Sequence, residues 1–81
     1  MNKFKIGDKV CLRKDGYEQE PYSNKYKFVK ADEVYTVQNI FNTFGTFEYV
    51  IFGFKNGSCY VTEDKLISQE EQIEELEKKV R

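Results

Sequence analysis

Few residues in this sequence are of the kind that performs covalent chemistry. The chain has two cysteines, Cys11 and Cys59, and no histidine. A thiol becomes a nucleophile when its pKa is lowered, and neither cysteine has a flanking motif that would lower it. Two thiols without histidine cannot complete a tetrahedral zinc site, and a histidine general base is excluded. Both are read as small residues on strands. Glu63 and Asp64, with Glu48, have the types of a paired-carboxylate site, but their setting is that of solvated turn acids and a cross-strand charge. Glycine-rich phosphate loops, nucleophile elbows and metal-ligand clusters are missing. The expectation is a protein without catalytic residues, metal or cofactor.

Binding chemistry is better represented. Seven Phe and six Tyr make up 16% of the chain. The stretch 16–31 (GYEQEPYSNKYKFVKA) interleaves rings with cations, and Tyr17, Tyr22, Lys25, Tyr26, Lys27 and Phe28 are its candidate binding residues. Aromatic side chains supply contact area at low entropic cost, and lysines meet acidic groups or phosphates. The competing use of the same rings is a small core of their own, folded over the open end of the domain.

Charge limits the partners. Thirteen basic residues stand against fourteen acidic ones, a net of −1, with a sequence pI near 5.5. A strong phosphate-backbone binder has a basic excess, which this chain lacks. The distribution is uneven: residues 1–33 hold eight Lys/Arg and six Asp/Glu, and residues 66–81 hold three and five. Residues 1–10 are charged and lack the apolar stretch of a signal peptide, and no run reaches membrane-spanning length. The two cysteines are accordingly expected to be free thiols in a reducing cytoplasm.

Strands must position these residues, because aromatic and β-branched enrichment favours them. Phe4, Ile6, Val10 and Leu12 alternate with Lys3, Lys5, Lys9, Cys11 and Arg13, which predicts a half-buried first strand over 8–13. The stretch 16–31 then reads as a long connection centred on Pro21, Ser23 and Asn24. Strands are predicted over 33–41, 46–54 and 58–62, with turns at 42–45 and at Asn56–Gly57, the latter fitting a two-residue type I′ loop. These turns place Phe54 opposite Cys59, Phe52 opposite Val61 and Val37 opposite Val50. The core face would then carry Tyr35, Val37, Val50, Phe52, Phe54, Cys59 and Val61. The outer face would carry Thr36, Gln38, Ile40, Phe47, Tyr49, Ile51, Tyr60 and Thr62, too apolar to stand free in water.

A helix follows over 68–81. Ser68 with Glu71 forms a capping box, and acids lead while bases trail along the dipole. Glu74–Lys78, Glu75–Lys79 and Glu77–Arg81 are i,i+4 pairs. Ile73, Leu76 and Val80 make a narrow apolar stripe that needs cover. Ile40, Phe47, Tyr49, Ile51, Tyr60, Ile73, Leu76 and Val80 are thus the candidate interface. The helix docks there on its own barrel or on that of a second copy.

The segments "FKIGDKVCL", "EVYTVQNI", "YVIFGFKNGSCYV" and "TEDKLI" resemble the SH3-like small barrels of the Tudor and KOW group over residues 4–67. The resemblance implies a mainly β fold: an SH3-like small antiparallel barrel, residues 1–67, with a C-terminal α-helix, residues 68–81. Short proteins opening "FKIGDKV" and closing "EDKLI" also resemble uncharacterised accessory proteins of bacteriophages and mobile elements. No tryptophan is present, so the groove of peptide-binding SH3 domains is not expected. The leading functional expectation is a non-enzymatic module binding a host protein or self-associating as a homodimer. The alternatives are a nucleic-acid-associated barrel using the region 9–30, and a protein sequestering a small ligand such as a nucleotide. No membrane partner is expected.

Overall fold

The computed structural model describes residues 2–80, with side chains described through residue 78. The first alternating run forms β1 (Lys9–Leu12), its Val10 and Leu12 inward. The stretch expected to be a long connection is instead a hairpin of β2 (Gly16–Gln19) and β3 (Tyr26–Val29). Pro21, Ser23 and Asn24 lie in its turn, which Glu20 N closes onto the Lys25 carbonyl at 2.9 Å. Then come β4 (Tyr35–Thr43), β5 (Thr46–Gly53) and β6 (Gly57–Thr62), close to their predicted spans. A 3₁₀ turn (Glu63–Lys65) leads to β7 (Leu66–Ser68) and α1 (Gln69–Val80). The Ser68 hydroxyl oxygen accepts from Glu71 N at 3.1 Å, which is the serine half of the predicted capping box, while the Glu71 carboxylate lies 3.9 Å from Lys3 Nζ.

The seven strands form one antiparallel sheet in the order β3-β2-β6-β5-β4-β1-β7, curled into a half-barrel. Its concave face carries the core: Val10, Leu12, Val29, Tyr35, Val37, Tyr49, Ile51, Cys59, Val61 and Leu66, closed at one end by Phe4. The Phe4 ring meets Tyr49 edge-on at 5.6 Å. The Tyr49 hydroxyl donates to Glu63 Oε1 at 3.0 Å, and the same oxygen accepts from Lys3 N. The lead-in segment is thereby fastened over the barrel end.

β6 and the start of β4 show the faces that the alternation predicts, but β5 is inverted, and beyond Val37 β4 is too, with Ile40 paired to Tyr49 and packed against the core. Ile51 pairs with Cys59 and Tyr49 with Val61, while Thr36 pairs with Phe52 and Val37 with Ile51. Val37 pairs one residue away from its expected partner and Cys59 three residues away from its own, and an odd shift exchanges the two faces of a strand. The tight turn is Phe44–Gly45, flanked by the Thr43–Thr46 pair, with φ of 52° and 84°. Positive φ at both central residues is what a type I′ turn needs. A bulge between Val37 and Asn39 absorbs the remaining residue of β4.

The second turn spans Phe54, Lys55 and Asn56 between paired Gly53 and Gly57. It departs from the two-residue form because Glu33 holds it. That carboxylate accepts from Lys55 N at 2.6 Å, Asn56 N at 3.1 Å and Asn56 Nδ2 at 2.7 Å. Gly53 makes room for it, since a Cβ there would stand 2.6 Å from Glu33 Cδ.

Tyr49 and Ile51 are consequently fully buried core residues, not an outer interface, whereas Phe52 is half-buried on the convex face and Phe54 is 96% exposed. Ile51→Ala should destabilise the fold by about 2–5 kcal/mol, the range for large-to-small core changes. Phe54→Ala should stay within about 0.5 kcal/mol. Urea denaturation of the two variants checks this, and the opposite ranking would mean that β5 lies the other way up.

Candidate functional site

The convex face of the β2–β3 hairpin gathers most of the sequence-predicted ring set. Tyr17 and Phe28 are cross-strand partners, as are Gln19 and Tyr26, and the period of two puts all four on one side. The Tyr17 and Phe28 rings meet edge-on at 5.3 Å and 71°. Tyr17 is 70% exposed, Tyr26 65% and Phe28 50%, so these rings do not form a buried mini-core. Tyr22 sits at the turn, 83% exposed, at a φ of 58° that a non-glycine residue adopts under strain. Lys25 is exposed beside it, its backbone N donating to Ser23 Oγ.

Lys27 does not belong to this surface. It alternates with Tyr26 and Phe28, so its side chain turns to the concave side, where Nζ donates to the Asn56 carbonyl. Glu18 does the same on β2. Its carboxylate is buried and takes an ion pair from Lys65 Nζ at 3.0 Å. Sequence reasoning missed both Glu18 and Glu33. For Glu18 the usable signal was the matched alternation of Tyr17–Gln19 and Tyr26–Phe28 on either side of Ser23–Asn24.

The rest of the predicted interface is scattered. The Gln19–Tyr60 pair carries the convex face from β2 onto β6, and Tyr60 with Tyr22 flanks a shallow cleft of about 430 Å³. The Tyr60 ring reaches Phe41 at 5.9 Å. Those rings come from the two strands beside β5, whose convex Val50 is only 5% exposed. Burial and the neighbouring Glu48 carboxylate push the Tyr60 pKa up. Ile40 and Phe47 are partly buried against the core.

The helix does not cover β5 and β6. It packs against β1 and β7 instead, at the far end of the sheet. The Cys11–Ile67 pair faces away from the concave core there and is nonetheless buried, with α1 above it. With Tyr49 and Ile51 inside the barrel, and Val50 already buried beside its cross-strand partner Tyr60, the convex face of β5 does not need the helix. Ile73 and Leu76 remain about half exposed, and the Val80 side chain lies outside the described residues.

The candidate chemical groups are engaged structurally. Cys11 and Cys59 are free and buried, and burial raises both thiol pKa values. Glu63 serves Tyr49 and Lys3, Asp64 accepts from the Thr62 hydroxyl, and Glu48 faces Tyr60, so the three carboxylates have separate partners. Among the described residues no group of three or more Cys, Asp or Glu is placed to hold a metal ion, and no helix is long and apolar enough to cross a membrane. No protein-family model matches the chain, and no curated protein or solved structure matches it.

Burial pushes the Tyr35 hydroxyl from 10.0 to about 12, partly offset by the hydrogen bond from Asn56. Above its ordinary pKa the unfolded chain releases a proton that folded Tyr35 retains, which favours unfolding. Stability is therefore expected to be complete below pH 10.0 and to fall as pH rises toward about 12. Thermal melts across that window should fall more steeply for the parent than for Tyr35→Phe. Parallel curves would show that Tyr35 is not held this way.

The helix makes a second prediction. A chain ending at Ser68 should expose Cys11 to a thiol reagent while Cys59 stays protected inside the barrel. Unchanged protection of Cys11 would mean that α1 does not cover it.

Proposed function

We propose that this chain is a non-enzymatic interaction module, an SH3-like small barrel of the phage or mobile-element accessory type, that binds a host protein in the cytoplasm. The binding surface is the convex face of the β2–β3 hairpin. One observation carries this reading: Tyr17, Tyr26 and Phe28 lie together on that face, each half or more exposed. Clustered tyrosine and phenylalanine rings are the usual anchors of protein interfaces. Their position next to an open sheet edge adds to this, because β3 ends the strand order. A nucleic-acid partner has less support, since Lys27 is turned away from the rings and the chain has a net charge of −1.

The test compares the parent with a Tyr17→Ala/Tyr26→Ala/Phe28→Ala variant. These rings are outside the core, so the variant should melt as the parent does. Tagged versions of both are used to capture partners from host cells, and the protein enriched only by the parent is then purified and titrated against each. Hot-spot losses of about 2 kcal/mol or more predict affinity reduced roughly thirtyfold. Equal affinity for both would remove this face from the function. A parent dimer that the variant lacks, seen by light scattering, would make the partner a second copy.

A further inference from the structure

A cleft of about 560 Å³ opens between the β1–β2 turn, the start of β2 and the 3₁₀ turn. That volume is within the range of small-molecule sites, roughly 300–1,000 Å³. Its two walls are clamped together by Arg13 N donating to the Lys65 carbonyl at 2.9 Å, so the opening is set by backbone.

Three kinds of group converge on it. The cations are Arg13, Lys14 and Lys65. An aromatic residue, Tyr17, also lines it, 70% exposed and with its ring edge-on to Phe28. The third is Glu18, a carboxylate with 9% of its side chain exposed. Cations answer phosphate oxygens, a ring stacks on a base, and a buried carboxylate accepts from ribose hydroxyls or base amines.

Acids also line the cleft, and each has a partner within the fold. Asp15 accepts from Ala31 N at 2.6 Å, and Asp64 from the Thr62 hydroxyl. Glu18 Oε1 is held by Lys65. Arg13 and Lys14 make no side-chain hydrogen bond or ion pair with the described residues, which leaves their donors open to a ligand. Glu18 Oε2 has no bond among the described residues, and no unpartnered polar side-chain atom is sealed from solvent. Oε2 is therefore in contact with solvent, and Glu18 lines the cleft.

We propose that this cleft is a second binding site, for a nucleoside di- or triphosphate, with Arg13 and Lys14 on the phosphates, Tyr17 on the base and Glu18 accepting from the ribose or base. The site is separate from the protein-binding reading and shares only Tyr17 with it.

Isothermal titration of the intact chain with ATP, GTP, CTP and UTP tests it, with adenosine and inorganic pyrophosphate as comparison arms. At least one triphosphate should bind saturably, about tenfold or more tighter than either comparison arm. Arg13→Ala/Lys14→Ala should weaken that binding by a similar factor at unchanged melting temperature, both side chains being exposed. The same variant should leave capture of a protein partner intact, so failure of one reading is distinguishable from failure of the other. Glu18→Gln tests the ribose contact, and its folded fraction is followed by circular dichroism. Pyrophosphate binding as tightly as every triphosphate would reduce the cleft to a simple anion site and overturn the proposal. So would saturable binding untouched by the Arg13/Lys14 change, or no saturable binding of any triphosphate.

Discussion

The carboxylate of Glu33 accepts three hydrogen bonds from Lys55 and Asn56 and so holds the β5–β6 turn against the segment that leads into β4. Asn56 Nδ2 then donates to the Tyr35 hydroxyl at 2.8 Å, which ties the turn to a core side chain. This contact, made close over Gly53, sets the register between β5 and β6. Register decides which face of β5 is buried. With Tyr49 inward, its hydroxyl reaches Glu63 and its ring meets Phe4, and the barrel end closes. A partly buried polar network of this kind specifies one arrangement only when its members are satisfied, and no buried side-chain N or O lacks a partner among the described residues.

That dependence explains what was legible in the sequence. The parity of β1 and β6 and the Ser68–Glu71 cap follow from near neighbours, and the structure has them. Asn56–Gly57 reads locally as a two-residue turn, but Asn56 is engaged by a residue 23 positions away. A window of a few residues cannot contain that constraint. The two turn-derived registers were consistent with one another because each was displaced by an odd number, so their agreement was no independent check. The β2–β3 hairpin was hidden for a different reason. Its strands are four residues each, too short for alternation to stand out beside Pro21, Ser23 and Asn24.

The candidate site was legible as composition and not as geometry. Tyr17, Tyr26 and Phe28 could be named from ring density alone. Lys27 could not be separated from them until strand pairing fixed its side, because adjacent residues on a strand face opposite ways. Glu18 runs against the rule that glutamate stays in water unless paired. Its partner Lys65 is 47 residues distant and enters through the 3₁₀ turn.

The aromatic excess has a physical consequence for where function can lie. A chain of 81 residues builds a thin core, and this one fills it largely with aliphatic residues plus Phe4, Tyr35 and Tyr49. Tyr17, Tyr22, Tyr26, Phe28, Phe44 and Phe54 are instead half or more exposed. Two of these, Tyr22 and Phe44, also occupy left-handed backbone at φ of 58° and 52°, where a non-glycine residue costs roughly 1–2 kcal/mol. Exposed rings at strained turns add nothing to the core's stability, and the fold would be more stable with glycine or asparagine beneath them. The ring content of the sequence is therefore a property of the surface. Tyr17 stands where these surfaces meet, its ring against Phe28 on the hairpin face and the residue itself lining the cation-bearing cleft.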